Sequence, residues 1–154
     1  MSILVGPALH PAHLIPDLKS RSRDSVLGEL TRQAQGIGVT REPGSLRATL
    51  RMRERLGSTA VGRGLAVPNA RSLLVGRPVL LVGRSRRGVD WGAEDGAPVH
   101  LVLLVISPAQ TSAPCHVAAV ARAVAATRPA RARQRLIESD SPDEVAGLLG
   151  VAPG

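Results

Sequence analysis

Residues 99–106 read Val-His-Leu-Val-Leu-Leu-Val-Ile, and this run constrains the fold more than any other stretch. It is the longest apolar candidate in the chain, yet far too short to cross a bilayer as a helix. Val102, Val105 and Ile106 are β-branched and Pro108 closes the run, so it reads as a buried strand. Residues 78–83 form a second strand that could be buried on both faces. Stretches of helical periodicity separate the strands. Such alternation indicates an α/β layer architecture. A length of 154 residues suits one domain spanning the whole chain.

The remaining elements follow from spacing and punctuation. Residues 13–18 read as a short first strand, broken by Pro16. Val26, Leu27, Leu30, Ala34 and Ile37 make one helical face behind the N-cap candidate Ser22, ended by Gly36 and Gly38. A second helix is expected over Pro43–Leu56, with Leu46, Leu50 and Leu56 as its stripe and Arg53 on or beside it. Residues 84–88, Arg-Ser-Arg-Arg-Gly, read as a solvated basic turn. A helix over 113–127 carries Val117, Val120 and Val124, with His116 in its first turn near the buried face. Pro129 breaks the chain before a short basic helix at 130–137. Ser141, Pro142 and Glu144 then form a capping box for a last helix, and residues 151–154 read as a loose tail.

Charge and residue usage narrow the partners. The formal charge is +8, with Lys19 the only lysine among the cations. The excess fits an anionic partner, although an Ala-, Gly-, Pro- and Arg-rich chain without Phe or Tyr is also what a GC-rich coding sequence produces. With Trp91 the only aromatic ring for base stacking and no recognition motif, nucleic acid is not the expected partner. Cys115 has no second cysteine to pair with, and no cleavable leader is evident, so a reducing cytoplasm is expected. His10, His13, His100 and His116 lack metal-site spacing, so neither a metal nor another cofactor is expected. No Gly-x-Ser-x-Gly elbow anchors a hydrolase triad. The loop from Gly57 to Gly64 is glycine-rich and could approach an anion, but it lacks the Gly-Lys-Ser/Thr of a Walker A loop.

Several blocks together resemble a known family. They are Arg53-Glu54-Arg55-Leu56-Gly57-Ser58-Thr59, then Gly62-Arg63-Gly64-Leu65-Ala66-Val67-Pro68. Gly88-Val89-Asp90-Trp91-Gly92-Ala93, Asp95-Gly96-Ala97-Pro98-Val99-His100-Leu101 and His116-Val117 follow in order. The likeness, from about residue 9 to 149, is to enzyme IIA domains of the bacterial phosphotransferase system, in the fructose–mannitol and nitrogen-regulatory class. The resemblance implies a mixed central sheet flanked by helices, the mannitol-type fold. It also implies a domain that takes a phosphoryl group from a histidine phosphocarrier protein onto its own histidine. That acceptor follows the proline of a Pro-His pair, and here the pair is Pro68-Asn69. A carboxamide nitrogen has its lone pair delocalised into the carbonyl, so Asn69 cannot do the nucleophilic work of an imidazole.

By the same resemblance Arg53 is the anion-binding arginine, Ser58 and Thr59 are hydrogen-bond donors to an anion, and His116 is the second active-site histidine. His100 reads as a packed core residue. Three functions fit. One is a permanently dephospho-like regulatory protein that binds the phosphocarrier, a sensor kinase or a transporter. Another is an active phosphoryl-transfer component using His116. The third is an anion or nucleic-acid binding module that uses Arg84, Arg86, Arg87, Arg131, Arg133 and Arg135.

Overall fold

A computed structural model describes residues 13–150; His10 and the expected tail at 151–154 lie outside them. The chain runs β1 (Leu14–Ile15), α1 (Arg23–Gly36), α2 (Pro43–Leu56), β2 (Ala60–Gly62), β3 (Leu65–Ala66), β4 (Asn69–Ser72), β5 (Val79–Val89), β6 (Val99–Pro108), α3 (Ala113–Ala126), α4 (Ala130–Glu138) and α5 (Pro142–Leu149). The strands form one mixed sheet in the order β1-β5-β6-β3-β2, with β4 also on β6. β5 and β6 pair antiparallel, whereas β1 runs parallel to β5.

The apolar run of β6 is unbroken because both of its faces are covered. Leu101, Leu103 and Val105 pack with Ala119, Ala123, Leu136, Val145 and Leu149 from α3, α4 and α5. Val102, Leu104 and Ile106 pack on the opposite face with Val26, Leu27, Leu30, Leu46 and Leu50 from α1 and α2. Successive strand residues point to opposite faces, so a central strand between two helical layers has no solvent side on which to place polar residues.

β3 and β4 lie end to end along one edge of β6. Leu65 and Ala66 pair with Leu101 and Val102, and Asn69 to Ser72 pair with Val105 to Pro108. Pro68 interrupts them because it has no N–H to give the ladder. Its carbonyl still accepts from Val105 N at 3.0 Å, which keeps both segments in register. Asn69 therefore opens β4 beside Val105 and Ser107, at the start of α3.

Several expectations need correction. The first strand is only Leu14–Ile15, since Pro16 ends it. The expected basic turn at 84–88 is instead the far half of β5. Arg84 is buried, and its guanidinium donates to the Ser139 carbonyl and to Asp140 Oδ1 at 3.0 Å. It thereby ties the α4–α5 connection to the sheet. Gly88 has φ +89°, and an added Cβ would stand 2.7 Å from Pro98 Cβ, so a side chain cannot fit there.

Leu56 is 86% exposed and Val117 63% exposed, so neither belongs to a core stripe. The capping box is half formed. Ser141 Oγ accepts from Glu144 N at 3.2 Å, but the Glu144 carboxylate pairs with Arg135, 2.6 Å from its Nη2. Ser22 caps α1 by accepting from Ser25 N, and α2 has the expected bounds. Among the described residues no helix is long and apolar enough to cross a membrane.

Candidate functional site

An open cavity of about 570 Å³ lies where α2, β4 and the start of α3 converge. Arg53, Leu56 and Met52 from α2 line one wall, Asn69 and Arg71 from β4 another, and His116 from α3 closes it. The structure thus brings together three of the five residues singled out from the sequence.

His116 and Asn69 are joined by a directional hydrogen-bond chain. The Asn69 Nδ2 donates to the Val67 carbonyl at 2.9 Å. That bond fixes the amide orientation and leaves Oδ1 facing His116 Nε2 at 3.1 Å. An amide oxygen can only accept, so Nε2 carries the proton. In the neutral ring Nδ1 is then the acceptor, and the Ser107 hydroxyl donates to it at 2.8 Å. Burial lowers the pKa of His116 below the ordinary histidine value, and the positive charge of Arg71 lowers it further. The imidazole is therefore held neutral in one tautomer with both nitrogens occupied.

Two arginines border the pair. Arg53 Nη1 donates to the Gly57 carbonyl at 2.8 Å, which folds the side chain back over the end of α2. Arg71 Nη1 donates to the Thr111 carbonyl at 3.0 Å, linking β4 to the loop before α3. Each of these bonds uses one guanidinium nitrogen, so donors remain for an anion.

Beneath this surface Glu54 organises the wall. It is 4% exposed, and Leu46, Leu50 and Glu54 form the buried face of α2. Its Oε2 accepts from Thr59 N at 3.1 Å and from Trp91 Nε1 at 3.3 Å, and its Oε1 accepts from the Thr59 hydroxyl. One carboxylate thus joins α2 to the glycine-rich loop and to the segment between β5 and β6. The expected anion-donor role of Thr59 is corrected accordingly, because its hydroxyl proton is given to Glu54. Ser58 is exposed and its Oγ accepts from Ala60 N at 3.1 Å; it lies outside the cavity lining. His100 is half-buried, with Nδ1 donating to the Ser85 carbonyl at 2.7 Å.

Sequence reasoning missed Arg71, Ser107 and Glu54. Each had a signal. Arg71 is two residues from Asn69 on a strand, hence on the same face. Ser107 continues the alternation Leu101, Leu103, Val105. Glu54 continues the four-residue spacing of Leu46 and Leu50.

The fold is that of the enzyme IIA domains. The nitrogen regulatory protein IIA-Ntr from Neisseria meningitidis superposes with a TM-score of 0.81 at 25% identity, over 91% of this chain and 94% of that one. Mannitol IIA from Escherichia coli gives 0.77 at 21% identity, over 93% and 99%. The chain belongs to the EIIA 2 family of the phosphoenolpyruvate-dependent sugar phosphotransferase system, which matches residues 8–150.

A nitrogen regulatory protein from Bradyrhizobium diazoefficiens is 31% identical over 143 residues, covering 93% of this chain and 92% of that protein. The fructose-specific EIIABC component of Bacillus subtilis is 27% identical over 133 residues and 86% of this chain. The chain spans only 21% of that component's length.

Proposed function

We propose that this enzyme IIA-like chain of the nitrogen-regulatory type is a cytoplasmic interaction protein that presents a permanently dephospho-like surface. Asn69 stands at the phosphoryl-acceptor position, and its side chain cannot accept the group. One observation carries the reading: the Asn69 amide satisfies both the Val67 carbonyl and the His116 Nε2–H. The pocket holds Arg53 and Arg71 beside a residue 69 that is no nucleophile. Exposed Met52 and Leu56 beside Arg53 and Arg71 give the rim apolar and cationic character, suited to a protein partner. The partner class is the histidine phosphocarrier protein, a sensor kinase or a transporter subunit.

The geometry does not favour His116 as a substitute acceptor. Its Nε2 carries a proton held by Asn69, and its Nδ1 lies against Ser107 on the buried side. Incubation with phosphoenolpyruvate, enzyme I and phosphocarrier, read by intact mass, tests the proposal. The native chain should gain no phosphoryl group, and Asn69→His should gain one. Phosphorylation of the native chain at residue 69 or 116, or its absence in Asn69→His, would overturn the assignment.

A further inference from the structure

A second cavity, of about 400 Å³, lies away from the first and shares no lining residue with it. Arg63 reaches it from the turn between β2 and β3, and Arg128 and Arg133 from the connection beyond α3 and from α4. Leu65, Val61 and Val124 supply an apolar wall. His116 and Thr127 sit at opposite ends of α3, so the two cavities are separated by about 16 Å of helix at 1.5 Å per residue.

We propose that this second cavity binds a small phosphate-bearing organic molecule through Arg63, Arg128 and Arg133. The electrostatics favour an anion. Among the described residues none of the three arginines is in a salt bridge, while Arg135 nearby is paired twice. An opposing charge nearby is Asp95, whose carboxylate accepts from the backbone N–H of Arg63 at 3.1 Å. The end of α3 contributes roughly half a negative charge. Arg133 Nη1 already donates to the carbonyls of Thr127 and Arg128, at 2.9 and 2.6 Å. These bonds pair the helix-end carbonyls and hold Arg133 in place, and three cations outweigh what remains.

Arg63 has φ +57°, the one non-glycine residue with positive φ among those described. The two-residue turn of the β2–β3 hairpin, Arg63-Gly64, requires this conformation, and it places Arg63 on the cavity lining. Guanidinium forks match phosphate oxygens bidentately. The volume exceeds what a bare phosphate fills, since one water's share of liquid is about 30 Å³. The apolar wall of Leu65 and Val124 then contacts an organic body.

Two-dimensional amide NMR of the isotope-labelled chain, titrated with ADP and separately with inorganic pyrophosphate, tests the site. ADP should shift amides at 62–65 and 124–133, and bind more tightly than pyrophosphate. The double variant Arg63→Asn/Arg128→Gln should weaken binding by about tenfold or more per arginine, from lost charge-assisted bonds. Asn relieves the positive φ at residue 63, so misfolding does not explain a loss there. Arg86→Gln/Arg87→Gln removes the same charge elsewhere and should bind normally. The proposal fails if shifts centre on Asn69 and His116, if no probe binds at millimolar concentration, or if both double variants lose affinity equally. ADP binding no tighter than pyrophosphate would refute the organic body.

Discussion

Replacing Glu54 tests whether one buried carboxylate holds the wall of the first cavity together. Glu54→Leu removes the acceptor of Thr59 N–H, of the Thr59 hydroxyl and of the Trp91 indole N–H. The hydroxyl can rotate to another partner, but the two N–H groups cannot. Each stranded buried donor costs about 1–3 kcal/mol, so the expected loss is about 2–6 kcal/mol. Glu54→Gln keeps one oxygen where Oε2 lies, serving both N–H donors, and the Thr59 hydroxyl can turn to accept from the new amide. Its cost should be about 1 kcal/mol, from exchanging a carboxylate for a neutral acceptor. For a domain of this size 1 kcal/mol is about 2–4 °C of melting temperature. A loss near 4 kcal/mol then lowers the midpoint by roughly 8–16 °C, and the Gln variant by roughly 2–4 °C. Trp91 is the sole tryptophan, so its fluorescence during urea unfolding reports on this contact directly. Equal melting of the two variants would refute the reasoning, because acceptor chemistry would then be irrelevant at this position.

Other perturbations separate the remaining contributions. His116 has a lowered folded-state pKa, so the unfolded chain takes up its proton first as pH falls. The stability this residue contributes is complete above about pH 6.5, the unfolded value, and is lost as pH falls through the lower folded value. His116→Gln should flatten that slope in urea titrations from pH 7 to 5. Asn69→Asp places a carboxylate on His116 Nε2 and should raise the His116 pKa, visible as an upward shift of its NMR titration. Arg84→Met strands the Ser139 carbonyl and should cost about 2 kcal/mol, roughly 4–8 °C in a thermal melt. Asp140→Asn should cost under about 1 kcal/mol, because the Asp140 side chain is 83% exposed.

The sequence disclosed those features that depend on local periodicity. The double-sided burial of β6, the bounds of α2 and the Ser22 cap all follow from spacing within a dozen residues. Residues 84–88 misled because charge density favours a turn, whereas pairing with β6 extends β5 through them and buries Arg84. Leu56 misled because it reads as apolar stripe, although the face of α2 turns toward Glu54 instead. Of the first cavity, Asn69, Arg53 and His116 were legible, the first two within one block of sequence. Arg71 and Ser107 were not, since what they do depends on β4 and β6 lying side by side beneath the start of α3. Tertiary pairing decides such roles, and no window of sequence contains it.

The side chain at residue 69 must meet two local demands before any question of function arises. The Val67 carbonyl needs a donor and the His116 Nε2–H needs an acceptor. Alanine would leave both unmet in a half-buried position, at about 1–3 kcal/mol for each group that water does not reach. Aspartate would supply the acceptor but turn a second acceptor toward the Val67 carbonyl. Asparagine alone among these offers one of each on a short side chain, and in doing so fixes the neutral tautomer of His116. Shape and reactivity are thus separable at this position: the amide satisfies both neighbours, while its nitrogen lone pair is tied up in resonance with the carbonyl. Under the proposed function, a partner would read the outline of this pocket, and the Asn69 amide would offer phosphorus no nucleophilic lone pair.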